Sequence, residues 1–151
     1  AKIGCPDTPV IGFAGDGAFG ISMNEMSSCA REEWPAIAMV IFRNYQWGAE
    51  KRNTTLWFDD NFVGTELDPE LSYAKVADAC GLKGVAVRTM EETTAAIKQS
   101  CEDQKNGITT FIEVILNQEL GEPFRRDAMK KPVKVAGISK ADMKKQPSLN
   151  T

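Results

Sequence analysis

The sequence contains no histidine, and that absence removes a large part of catalytic chemistry. Neither a Ser-His-Asp nor a Cys-His arrangement can be assembled within the chain, and no imidazole is at hand to ligate a metal. Cysteine occurs four times, at Cys5, Cys29, Cys80 and Cys101, without CxxC or zinc-like spacing. These thiols are expected to be small buried hydrophobes, unpaired, in a reducing cytoplasm. No apolar run approaches the ~20 residues of a membrane span, so no membrane partner is expected. The first residues, Ala1 to Pro6, lack the hydrophobic stretch of a secretion signal. No initiator methionine opens the chain, and it is read as part of a longer polypeptide.

What is present is ordinary for a globular domain: 151 residues, 42% hydrophobic and 26% charged, enough to enclose a core. The net charge of −3 conceals an asymmetry, because residues 121–151 carry +5 and the preceding 120 carry −8. A basic tail can bind nucleic acid, but its only aromatic is Phe124, which leaves little for base stacking. No nucleic-acid partner is expected.

The informative stretch is Val10 to Asn44. Val10-Ile11-Gly12-Phe13-Ala14 is a short run of β-formers that stops at Gly15-Asp16-Gly17. A helical segment from Met23 to Arg31 follows, with Ser22 or Asn24 as its cap, and Trp34-Pro35 closes it. The apolar run Ala36 to Phe42 then fits a parallel strand buried on both faces. A strand, a glycine-rich turn and a helix N-terminus make a seat for a phosphate group. A carboxylate inside such a seat is repulsive unless a cation bridges it, so Asp16 points to a divalent metal. Asn44, ending the next strand, offers a neutral oxygen to the same ion. Hard oxygen ligands suit Mg²⁺ or Ca²⁺, and Mg²⁺ above all when phosphate completes the shell.

Further along, residues 45–68 carry no clear period and are expected to be irregular. Trp47, Trp57, Phe58 and Phe62 make this stretch too apolar for disorder, so it should pack on an active site or a partner subunit. Asp68-Pro69 is expected to open a helix that Gly81 stops. Val85 to Arg88 should be a short strand, Glu91 to Lys105 a helix capped by Thr89, and Thr109 to Leu116 a strand. Alternating strands and helices predict an α/β fold, a parallel sheet flanked by helices on both faces. Its ligand belongs at the carboxyl ends of the strands.

Gly15-Asp16-Gly17 with Asn44 placed 28 positions after the acid resembles the motif of the thiamine diphosphate (ThDP) enzymes, the pyruvate decarboxylase and acetolactate synthase superfamily. The resemblance implies a diphosphate-binding domain with Mg²⁺ held by Asp16, Asn44 and the main-chain carbonyl of Gln46. It also implies that Gly15, Asp16, Gly17, Ala18 and Tyr45 line the cofactor, with the N–H groups of Gly17, Ala18 and Tyr45 facing the diphosphate. One position departs from the pattern: Arg43 stands where the superfamily usually has a first asparagine. The activating glutamate of the superfamily belongs to a second domain that nothing in this chain matches, so no catalytic residue is assigned and the chain alone should be inactive.

Three stretches are similar to the sulfoacetaldehyde acetyltransferases: Gly15 to Glu25, Asn44 to Lys51, and Glu119 to Pro132. For the full-length parent this implies cleavage of sulfoacetaldehyde with phosphate to acetyl phosphate and sulfite, and a homo-oligomer, dimer or tetramer. Acetolactate synthase, a 2-oxo acid decarboxylase, or the ThDP-binding subunit of a two-chain enzyme are the alternatives. Both substrates are anions, and Lys51, Arg52, Arg125 and Arg126 have the charge to meet them. Glu119 and Glu122 could equally pair with those arginines. The expected organisation is a ThDP and Mg²⁺ domain over 1–118, truncated on its N-terminal side, and a basic, irregular extension over 119–151 packed on or near it.

Overall fold

Four short runs rich in β-formers build one sheet: β1 (Ile11–Gly15), β2 (Ala38–Arg43), β3 (Lys83–Val87) and β4 (Thr110–Ile115). A computed structural model describes residues 1–118 of the chain, so the expected extension over 119–151, with Glu119, Glu122, Arg125 and Arg126, lies outside the described residues. All strand pairs are parallel and their order is β1-β2-β4-β3. β2 and β4 are therefore the inner strands, which explains their apolar runs.

Residues alternate between the faces of the sheet. On one face, Phe19, Met26, Ile41, Tyr73, Ala77 and Phe111 form a core joining the sheet to α1 (Asp16–Gly20), α2 (Met26–Cys29) and α4 (Tyr73–Ala79). On the other, Val40, Val87, Ile112 and Val114 pack with Ala96 and Ile97 of α5 (Met90–Lys105). This is the α/β architecture expected, with helices on both faces. Beside the part covered by α5, Phe13 and Phe42 stack at 6.1 Å between ring centroids, and both are exposed.

Several local expectations need correction. The single helix over Met23 to Arg31 is instead α1, a 3₁₀ turn (Met23–Glu25) and α2. Helix geometry begins at Asp16 itself, directly after the extended Gly15, and Ser22 leaves the helical region at φ −116°, ψ 19°. The stretch 45–68 is not irregular throughout, because α3 (Gly48–Trp57) occupies its first half. Ala49, Glu50, Lys51 and Arg52 favour a helix by propensity, but they carry no apolar stripe for a period to reveal.

Asp68-Pro69 does not open α4. Ser72 is the cap, accepting from the Lys75 N–H at 3.3 Å, while the carbonyls of Asp68 and Pro69 are taken by Arg43. The stop at Gly81 holds: its φ is +83°, the left-handed turn that ends many helices. Cys5 is exposed and Cys29, Cys80 and Cys101 are half-buried, so none is the fully buried residue expected, although all four are unpaired. The first turn of α4 comes close to β3, where a Cβ on Gly84 would lie 2.0 Å from the Ala74 carbonyl oxygen.

Candidate functional site

Since β1 and β2 are adjacent and parallel, with Gly15 paired to Phe42, Asp16 and Asn44 emerge at the same edge of the sheet. Asp16 is buried, with 2% of the residue exposed. One carboxylate oxygen accepts from the Gly17 N–H at 2.9 Å, the other from the Tyr45 N–H at 2.7 Å. The second bond ties the turn after β1 to the loop after β2. The N–H groups of Gly17 and Tyr45 thus meet Asp16 here, while Ala18 sits exposed in the first turn of α1. Gly17 lies beneath the Trp47 indole, whose Cδ2 would be 3.3 Å from a Cβ at that position. Trp47 therefore packs on the turn, whereas Phe58 and Phe62 of the same stretch are exposed.

The loop Tyr45-Gln46-Trp47 is held by an antiparallel bridge to Thr65-Glu66-Leu67. Trp47 N–H donates to Thr65 at 2.8 Å and Leu67 N–H donates to Tyr45 at 2.9 Å, flanking the Gln46–Glu66 pair. Residues in a pair flanked this way turn their own N–H and C=O outward. The Gln46 carbonyl is accordingly directed away from the Thr65–Leu67 segment. Its side chain is 2% exposed; Nε2 donates to the Gln118 carbonyl at 3.0 Å, and Oε1 is buried without a partner among the described residues. Asn44 is half-buried at the head of this loop. A cavity of about 470 Å³ opens beside it, lined by Tyr45, Glu66, Leu67, Pro69 and Gln118.

Arg43 is neither exposed nor a neutral substitute for an asparagine. Its side chain and that of Glu113 are 5% and 1% exposed, and they form an ion pair between the diagonal neighbours of β2 and β4. The guanidinium also donates to the Asp68 and Pro69 carbonyls at 3.2 and 3.0 Å and lies 4.5 Å from the Tyr45 ring centroid. The other Glu113 oxygen accepts from the Ser72 hydroxyl at 2.7 Å and the Ala74 N–H at 3.1 Å. Burial alone would raise the Glu113 carboxyl, yet Ser72, Ala74 and Arg43 together hold it below the usual range. The Tyr73 hydroxyl donates to the Asp16 carbonyl at 3.2 Å. Burial, and then the Asp16 carboxylate, push this phenol up, so it stays a donor.

Glu113 and Tyr73 were not singled out from the sequence. A lone acid inside Thr110–Ile115 was the signal available for the first. Of the expected anion contacts, Lys51 forms an ion pair with Glu66 and lies 5.0 Å from the Phe62 ring centroid. Arg52 is half-buried on α3.

The donor set can be judged on its own chemistry. Among the described residues no three His, Cys, Asp or Glu side chains converge. The cluster offers one buried carboxylate, one amide and an outward main-chain carbonyl. Such a sparse all-oxygen set fits Mg²⁺, which typically takes one or two carboxylates and completes its shell with phosphate and water.

Comparison with known proteins extends this picture. The family profile described as "Thiamine pyrophosphate enzyme, C-terminal TPP binding domain" matches residues 1–114. The chain is 77% identical over 146 residues to the probable sulfoacetaldehyde acetyltransferase of Rhizobium meliloti (strain 1021), covering 97% of this chain and 25% of that protein. It is 71% identical over 146 residues to the sulfoacetaldehyde acetyltransferase of Roseovarius nubinhibens, covering 97% and 24%. The chain thus spans about a quarter of the length of these relatives. Among solved structures, the Rhodococcus jostii RHA1 thiamine diphosphate-dependent 4-hydroxybenzoylformate decarboxylase superposes with a TM-score of 0.70 at 27% identity, over 80% of this chain and 22% of that one.

Proposed function

Because the chain belongs to the thiamine pyrophosphate enzymes, as their C-terminal TPP-binding domain, we propose that its strand-end cluster holds Mg²⁺ and through it the cofactor diphosphate. Asp16, Asn44 and the main-chain carbonyl of Gln46 are the metal ligands in this reading. Gly15, Gly17, Ala18 and Tyr45 form the wall against the diphosphate. The observation that carries the reading is the double clasp on Asp16: Gly17 and Tyr45 fix a buried carboxylate between two strand ends. The outward Gln46 carbonyl adds to it. ThDP, when bound, supplies a nucleophilic carbon and an electron sink for chemistry at a carbonyl.

The parent protein is proposed to cleave sulfoacetaldehyde with phosphate, giving acetyl phosphate and sulfite. The likeness to the named acetyltransferases supports this. The domain proper is proposed to be residues 1–118, within a cytoplasmic homo-oligomer whose other domain supplies the activating glutamate. Arg52, Arg125 and Arg126 are proposed to meet the anionic substrates. Lys51 can join them only in competition with Glu66.

The test uses the full-length polypeptide. Asp16→Ala is expected to abolish Mg²⁺-dependent ThDP binding in calorimetric titration while leaving the circular dichroism spectrum intact. Undiminished ThDP affinity would overturn the metal assignment. In the wild type, sulfite and acetyl phosphate should appear together and only with phosphate; consumption of pyruvate instead would keep the cofactor site and discard the substrate.

A further inference from the structure

We infer that Arg43, acting with Glu113, is a positioning residue that sets the geometry of the metal-binding loop rather than contacting substrate or metal. The inference rests on the Mg²⁺ reading above and starts from an oddity of the backbone. Tyr45 has a φ of 62°, a left-handed conformation that is costly for an aromatic residue and persists only where its surroundings over-determine it. Asn44 and Gln46, the two neutral metal ligands, flank this residue directly. Whatever holds Tyr45 therefore sets where both oxygens point.

Each restraint on Tyr45 is identifiable. Its N–H is taken by Asp16. Its carbonyl accepts from the Leu67 N–H and from Gln118 Nε2. Its ring faces the Arg43 guanidinium at 4.5 Å. Of these, Asp16 ties the loop to the turn after β1, and Arg43 ties it to β4 and to the approach to α4. Arg43 is the last residue of β2, pairs with Glu113 on β4, and grips the carbonyls of Asp68 and Pro69. Glu113 in turn holds the start of α4 through Ser72 and Ala74. One planar guanidinium thus joins two strands, the approach to α4 and the metal loop. Lysine, a point charge without a plane, cannot reach all of these at once.

The charges make the same point. An isolated buried guanidinium next to a cation site would oppose the ion, and Glu113 cancels it locally. The pair is almost inaccessible, so it offers no surface to an anionic substrate. Buried ion pairs are often replaceable by well-packed apolar residues without loss of stability. The worth of this one is then its geometry.

The experiment compares the full-length wild type with Arg43→Met/Glu113→Leu, and with Arg43→Lys as a second variant. Thermal unfolding is recorded beside calorimetric titration with Mg²⁺ in the presence of ThDP. The double variant is expected to stay folded with a lowered melting temperature, because the Ala74 N–H and the Asp68 and Pro69 carbonyls lose their partners. It is expected to bind Mg²⁺ about 10- to 100-fold more weakly, the range for groups that orient metal ligands. Arg43→Lys should also weaken Mg²⁺ binding, though less. Unchanged Mg²⁺ affinity in a folded variant would overturn the inference while leaving the metal site itself standing. Loss of the fold in both variants would make the pair a stability element only and overturn it too. Failure of the wild type to bind Mg²⁺ with ThDP would overturn the reading beneath it.

Discussion

A carboxylate placed in the middle of an apolar strand has to be satisfied completely or not at all, and Glu113 is satisfied by three donors on both of its oxygens. Removing it alone would strand a buried guanidinium. Glu113→Ala is therefore expected to cost about 3–5 kcal/mol in urea unfolding, far more than the double apolar replacement; a loss below 1 kcal/mol would show that water reaches Arg43. Reading this from sequence was only half possible. Arg43 was visible as a departure from a motif, but its partner lies 70 positions away and no local pattern joins them. Asp16 and Asn44 were legible because a turn, a strand end and their spacing all follow from chain-local chemistry. The left-handed backbone of Tyr45 was not, since a tyrosine carries no turn signal of its own.

Secondary elements were legible in proportion to how much apolar surface they bury. The four strands appear within about two residues of their expected bounds, and α5 begins one residue early. α5 also has a complete capping box: the Thr89 hydroxyl accepts from the Glu92 N–H, and the Glu92 carboxylate accepts from the Thr89 N–H, each at 3.1 Å. Thr89→Ala should cost about 1 kcal/mol, read as a lowered urea midpoint with unchanged slope. Gly84→Ala should be harsher. Its Cβ would meet backbone, the Ala74 carbonyl, and backbone yields little; about 1–3 kcal/mol or more is expected from such overpacking. A stability equal to wild type would mean that α4 can shift freely off β3. α3 was missed for the opposite reason, being a polar helix whose formation rests on propensity and on the bridge between Tyr45–Trp47 and Thr65–Leu67.

At the scale of the whole molecule, acid should loosen the fold through two buried carboxyls. Burial alone would raise Asp103, but Lys83, Gln99 and Thr110 hold it below its ordinary value, and Glu113 is lowered likewise. A lowered folded value means stability that is fully present above the unfolded pKa of about 4. That stability is lost as pH falls through the folded value. The urea midpoint should therefore be level from pH 7 to about 5 and fall steadily toward pH 3; a flat profile throughout would contradict both assignments. The overall α/β plan was legible from alternation alone. The strand order was not, because which strand lies between which is decided by long-range packing.

That order has a kinetic corollary. With β4 seated between β2 and β3, the contact from Ile37 to Thr109 closes a loop of 72 positions, and pairings this distant are slow to form. Arg43 cannot meet Glu113 until that closure is made. The loop bearing Asn44 and Gln46 is thus completed by the longest-range joining of the sheet. A ligand that seats on it binds only finished molecules, and its concentration sets how many of them remain finished.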